Sequence, residues 1–167
     1  DSSTSRGLGD VYKRQNMLQS FMDRVREALA RDDAVELRDA IGGLHETELG
    51  EVLGYLTTEQ RQALVRLMGE DFDYTALTEV DEAIRLEMIH AMPPEQVAVA
   101  VSELASDDAV YILEDLDAQD RDEILKRLPF RERLRLRRAL EYPEESAGRR
   151  MQTEFVAVPP FWTCLLY

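Results

Sequence analysis

The stretch Leu104–Pro129 decides the fold class and reads LASDDAVYILEDLDAQDRDEILKRLP. At the helical period of about 100° per residue, the apolar side chains of its first half fall on one side of a helix. These side chains are Ala109, Ile112, Leu113 and Leu116. Asp117-Ala118 and Leu128-Pro129 then interrupt the pattern. The stretch therefore predicts short amphipathic helices rather than one long helix or a strand.

The same organisation extends from about residue 16 to residue 142. Leu, Ala, Glu and Arg dominate this region, and all four are good helix formers. Short breaks recur along it, many with residues that favour helix starts: a capping side chain near Thr58 and Ser106, and prolines at 94 and 129. The pattern predicts an all-α fold.

An internal echo connects two parts of this region. Leucines at 44, 53, 56 and 64 and an arginine at 61 recur sixty residues later as Leu104, Leu113, Leu116, Ile124 and Arg121. Stacked helix pairs give such periodic leucines, because each pair buries its apolar face against a neighbour. The echo favours a solenoid of short helices, with residues 70–75 as a polar interruption rather than a domain boundary.

Composition narrows the function classes. The chain has 167 residues, is 44% hydrophobic, and carries a formal charge of −14. A protein surface with this negative charge repels phosphate backbones, so nucleic acid is not an expected partner. The same surface attracts cations. No apolar run is long enough to span a bilayer, and one cysteine cannot form an internal disulfide, which indicates an intracellular domain.

The two ends do not fit the rest of the chain. Asp10–Gln15 can be encoded by a DNA sequence whose reverse complement encodes Cys-Leu-Leu-Tyr, the residues at 164–167. We therefore interpret residues 1–15 and 164–167 as translated adapter or vector scars. On this interpretation the body of the chain carries −15, and the gene is cut off near Thr163.

The character of the sequence changes after Tyr142-Pro143. Residues 146–151 are small and basic, and residues 153–158 are β-branched and aromatic. We expect a linker followed by a strand-like tail over 143–163. A lone strand is not stable by itself, so a further domain should follow.

The residues do not suggest an enzyme. The sequence has no Gly-x-Ser-x-Gly motif and no phosphate-binding glycine loop, and zinc would require a Cys or His cluster. His45 and His90 are expected at helix ends rather than as ligands. No catalytic residue and no organic cofactor is predicted.

Acidic side chains outnumber basic ones in this chain. Helical phasing places Asp107, Tyr111 and Glu114 opposite the leucines, with Asp108 and Asp115 on a flank. We therefore expect a strongly acidic solvent face with no lysine or arginine to neutralise it locally. Mg²⁺ prefers oxygen ligands and often uses only one or two carboxylates. The same residues also fit ordinary helix starts and a solvated surface, and a second acidic patch at Glu70, Asp71 and Asp73 has the same two interpretations.

One segment carries a specific resemblance. Tyr142–Val158 reads YPEESAGRRMQTEFVAV and resembles the junction in MgtE-type magnesium channels that leads into the first cystathionine-β-synthase (CBS) domain. Met92–Ala109 and Leu128-Pro129 are similar to the amino-terminal helical domain of that family. The resemblance covers essentially all of residues 16–163.

This resemblance implies a fold, a function and a site. Residues 16–142 would form a right-handed α-superhelix and residues 143–163 the linker and start of a truncated CBS domain. The chain would be the cytoplasmic Mg²⁺-sensing domain of a bacterial inner-membrane protein that is dimeric at full length. Its partners would be the CBS domains and the pore of the same parent chain, and Mg²⁺ between the acidic faces would favour the closed pore.

The implied metal contacts map onto particular positions. A family aspartate pair falls on Asp107 and Asp108, and Glu114 and Asp115 are the further candidates. A third family aspartate falls on Tyr111, so one ligand is missing there. A family glutamate falls near Thr75, where Asp73 or Glu79 could substitute. We expect regulatory Mg²⁺ to bind the fragment weakly, since the facing CBS carboxylates are missing.

A second hypothesis is a helical-repeat scaffold for protein partners, similar to the middle domain of flagellar motor switch proteins. In that case the acidic face meets a basic protein surface and Mg²⁺ is incidental.

Overall fold

The computed structural model describes residues 3–153, with side chains from residue 16 onward. These residues fold into ten α-helices and two 3₁₀ turns, with no strand among them. The all-α prediction is confirmed. The strand predicted beyond Thr153 lies outside the described residues, and the right-handed superhelical path stays a prediction.

The chain divides into two compact units, one up to Met92 and one from Pro93. The helices of the first unit are α1 (Ser3–Ala30), α2 (Ala34–Ile41), α3 (Glu46–Tyr55), α4 (Thr58–Met68) and α5 (Glu82–Ala91). The 3₁₀ turns Gly69–Asp71 and Tyr74–Thr78 lie between α4 and α5. The helices of the second unit are α6 (Pro94–Glu103), α7 (Ser106–Glu114), α8 (Ala118–Arg127), α9 (Phe130–Leu140) and α10 (Ala147–Arg150).

Helix starts explain why the helices are short. Asp33, Thr57 and Asp117 each accept hydrogen bonds from backbone N–H groups of the helix that follows, so these groups are satisfied at the point where the chain turns. The cap of α4 is Thr57 rather than the neighbouring Thr58. Ala105 precedes α7 without a side-chain cap, so the cap expected from Ser106 is not formed.

Within the second unit, two helices pack on the next but one, and α10 packs against α7 and α9. α6 packs against α8 and α7 against α9, as expected for stacked helix pairs. Leu113 and Ile112 on α7 are 0% and 1% exposed, so the predicted apolar face is the core face. The sixty-residue echo is visible in the helix boundaries, because α3 and α4 begin sixty residues before α7 and α8.

The polar interruption in the first unit has an apolar interior. Phe72 and Tyr74 are both buried and meet edge to face, with ring centroids 5.0 Å apart. Gly69 precedes them at φ 57°, a left-handed conformation that glycine adopts without strain. None of the helices within residues 3–153 combines the length and the apolar composition needed to cross a membrane.

Candidate functional site

The first turn of α7 holds two adjacent aspartates in the second unit. Asp107 and Asp108 are both half-buried, and their charges are stabilised by the positive end of the helix dipole. The Oδ1 atom of Asp107 is buried, and no described residue hydrogen bonds to it. A buried carboxylate oxygen without a partner costs free energy, so this atom favours a bound water or a cation.

The chain returns to this turn after α10. The Thr153 N–H donates to the Ser106 hydroxyl oxygen at 2.8 Å, and the two hydroxyl oxygens are 3.0 Å apart. Ser106 is the first residue of α7 and immediately precedes Asp107. The last described residue therefore lies beside the aspartate pair.

Glu114, at the other end of α7, is held by two consecutive arginines. Its Oε2 atom is 3.2 Å from Nε of Arg149, and its Oε1 atom accepts from Arg150. Both the Arg149 and Glu114 side chains are largely buried, at 6% and 13% exposure. The expectation that no basic side chain neutralises this face is wrong at Glu114, because the fold brings α10 against α7.

Tyr111 joins the same group of side chains. The Arg150 guanidinium carbon lies 6.0 Å from the centre of the Tyr111 ring, a distance at which cation–π attraction contributes. The hydrogen bond to Glu114 raises the pKa of Arg150 above its ordinary value. Arg150 thus contacts both Tyr111 and Glu114, on the face of α7 that helical phasing predicts to be acidic.

The four predicted metal contacts do not converge on one point. Asp107 and Asp108 lie in the first turn of α7, whereas Glu114 and the half-buried Asp115 lie at its end. At a rise of about 1.5 Å per residue, the two ends are about 10 Å apart, which is too far for one ion. Among the side chains that the structure describes, from residue 16 to residue 153, no three His, Cys, Asp or Glu side chains are grouped closely enough to hold a metal ion.

The second acidic patch is engaged in local contacts of the first unit. Asp71 pairs with Arg38 at 2.6 Å, and Asp73 caps the turn Tyr74–Thr78 by accepting from the Thr75 N–H. Glu79, proposed as a substitute ligand, has its Cβ packed against Gly50 of α3. Asp71 and Asp73 fit the structural interpretation of that patch.

The sequence interpretation missed Arg149 and Arg150 as partners of α7. The available signal was the basic pair in a chain rich in acids. Spacing along the chain could not identify Glu114 as the partner, because 35 residues separate it from Arg149.

Comparisons with known proteins agree on one family. Residues 44–145, more than half of the chain, match the family described as the MgtE intracellular N domain. Among solved structures, the chain is similar to the crystal structure of the soluble part of a magnesium transporter, with a TM-score of 0.70 and 26% sequence identity. That alignment covers 83% of this chain and 55% of the other, so the chain spans about half the length of its structural relative. No curated protein matches the chain.

Proposed function

Because this chain belongs to the family of the MgtE intracellular N domain, we propose that it is the Mg²⁺-sensing regulatory domain of a magnesium transporter or channel. The observation that carries the proposal is the buried, unpartnered Oδ1 atom of Asp107 beside Asp108. Mg²⁺ keeps most of its waters and uses one or two carboxylates, so this pair suffices as one side of a site.

The remaining ligands belong to a facing surface in this proposal. Thr153 lies against the first residue of α7 and therefore next to the aspartate pair. We assign that continuation to CBS domains of the same parent chain, located on the cytoplasmic side of a bacterial inner membrane. The full-length protein is a homodimer in this account.

Electrostatics supplies the mechanism. Acidic faces repel each other in a chain with a charge of −14, and a divalent cation between them relieves that repulsion only when the faces are close. Mg²⁺ therefore shifts the population toward the compact arrangement, which favours the closed pore. When Mg²⁺ falls, the faces separate.

We propose different roles for the individual carboxylates of α7. Asp107 and Asp108 remain the proposed cation contacts, whereas Asp115, at the other end of α7, is too far away to share their ion. Glu114 instead holds α10 through Arg149 and Arg150. The carboxylate therefore fixes the segment that leads to Thr153, and it contributes to Mg²⁺ sensing by position rather than by coordination.

Thermal unfolding of a longer chain that includes the following domains tests the proposal. Millimolar Mg²⁺ should raise its Tm more than a monovalent salt at equal ionic strength does, because only Mg²⁺ bridges the carboxylates. The pair Asp107→Asn and Asp108→Asn should remove this extra stabilisation. An equal response of wild type and variant would contradict the assignment, and a chain that continues into unrelated domains would favour the scaffold hypothesis.

A further inference from the structure

Helix α9 carries a charge opposite to that of the rest of the chain. Between Lys126 and Arg138 the sequence has seven basic side chains and one acidic side chain, although the whole chain has a net charge of −14. The basic excess includes five arginines within α9 itself. The proposed Mg²⁺ site leaves this helix unexplained.

The exposed side of α9 has an apolar centre. Phe130 and Leu134 are 67% and 58% exposed, whereas Leu136 and Ala139 are buried at 4% each. At about 100° per residue, Phe130 and Leu134 lie side by side at the middle of the outer face. The two side chains form a convex apolar ridge.

Arginines flank this ridge on both sides. Helical phasing places Arg131 and Arg138 on one side and Arg133 and Arg137 on the other. Arg133 lies over the Phe130 ring, 5.7 Å from its centre, and so stays beside the ridge. The acid of the helix, Glu132, is turned away from this face and has a buried Oε2 atom.

We propose that this outer face of α9 docks on an anionic lipid surface. An apolar ridge between cationic borders is the arrangement of helices that lie in a membrane interface. The ridge enters the boundary between headgroups and acyl chains, and Arg131 and Arg138 can pair with lipid phosphates through their planar forks, whereas Arg137 lies 3.8 Å from Asp122 of α8. Acidic residues more than about 8 Å from the lipid are screened at physiological salt. The charges of α9 and of its close neighbours therefore determine whether the lipid surface attracts this face.

The shape of the face favours lipid over an acidic protein partner. A convex ridge needs a matching groove in a protein, whereas a bilayer interface deforms around it. A continuous sheet of phosphates would meet Arg131 and Arg138 on one side of the ridge and Arg133 on the other. An acidic protein partner is the alternative that the experiment separates.

Vesicle sedimentation of the full chain tests the proposal, in EDTA so that Mg²⁺ plays no part. The probes are phosphatidylcholine vesicles with and without an equal share of phosphatidylglycerol. We expect binding only to the anionic vesicles, and loss of binding at high salt. Arg131→Gln with Arg138→Gln should weaken it about thirtyfold, and Phe130→Ser with Leu134→Ser by about tenfold or more.

Val35→Ser is the matched control, because Val35 is 68% exposed but lies between the acids Asp33 and Glu36. It should bind like wild type, and circular dichroism should show that all variants are folded. Equal binding by wild type and the α9 variants would overturn the proposal, as would no binding to anionic vesicles. Binding to polyglutamate but not to vesicles would assign the face to an acidic protein instead.

Discussion

The Arg149 guanidinium lies almost fully buried with Nε 3.2 Å from a carboxylate oxygen of Glu114. Arg149 also donates to the carbonyl oxygens of Leu140 and Tyr142, so one side chain joins α7, the end of α9 and the following turn. This contact orients the segment that leads to Thr153. The position of that segment beside Asp107 therefore depends on a residue that lies outside the proposed cation site.

Glu114→Ala should destabilise the second unit by about 3 kcal/mol, because it leaves the buried Arg149 charge without a counterion. Arg150→Ala removes the more exposed partner, whose side chain is 51% exposed, and should cost about 0.5 kcal/mol. Urea unfolding followed by circular dichroism measures both. Equal losses of unfolding free energy in the two variants would show that the burial of Arg149 does not strengthen its ion pair with Glu114.

Two glycines of α3 should respond oppositely to alanine. A Cβ at Gly50 would lie 2.6 Å from Cβ of Glu79, so Gly50→Ala forces the neighbouring turn to move and should cost about 1–3 kcal/mol. A Cβ at Gly54 meets nothing within 4 Å, so Gly54→Ala should stabilise the helix by about 0.5–1 kcal/mol. A gain in Tm for both variants would contradict the close packing of Glu79 on α3.

Arg61 should not tolerate lysine. Its Nε donates to the Leu53 carbonyl at 2.9 Å and its Nη1 lies 2.8 Å from Glu87, which also accepts from the Thr58 hydroxyl. Lysine cannot make both contacts from one planar group, so Arg61→Lys should cost about 2 kcal/mol in unfolding free energy.

The control for Arg61 is Arg24→Lys, since the Arg24 side chain is 55% exposed and pairs with Glu36 in solvent. That change should stay within about 0.5 kcal/mol. Similar losses at both arginines would contradict the role assigned to the buried contacts of Arg61.

Glu95 should contribute to the loss of stability in acid. Backbone hydrogen bonding at the start of α6 and a hydrogen bond from Arg127 lower the pKa of Glu95 below its ordinary value of 4.5. A lowered pKa in the folded state gives stability that is present above the unfolded value and is lost as the pH falls through the folded value. Glu95→Gln should therefore flatten the acid limb of a stability–pH curve, and an unchanged limb would contradict this contribution.

Much of the fold could be predicted because its signals are local. Helical periodicity placed Leu113 and Ile112 in the core, and the breaks at Asp117-Ala118 and Leu128-Pro129 became the boundaries between α7, α8 and α9. The interpretation of residues 70–75 as an interruption also agrees with the two 3₁₀ turns found there. The division between the compact units instead falls at Met92, before Pro93.

The site was only partly predictable, since its decisive contacts are long-range. Phasing identified the acidic side chains of α7 but treated the helix as if it had a single open acidic face. Arg149 and Arg150 reach Glu114 only after the chain has passed through α8 and α9. Tertiary contacts determine which carboxylates are paired with arginine and which are not. The spacing of residues along α7 does not reveal these contacts.

The most direct test of the central claim locates the cation on this chain. Mn²⁺ takes oxygen ligands as Mg²⁺ does, and its paramagnetism broadens the NMR signals of amides close to it. We predict that substoichiometric Mn²⁺ broadens the amides of residues 106–109 first, that excess Mg²⁺ reverses this, and that Asp107→Asn abolishes it while the exposed Glu103→Gln does not. Broadening centred elsewhere, or unchanged in Asp107→Asn, would contradict the assignment of the sensing site to the first turn of α7.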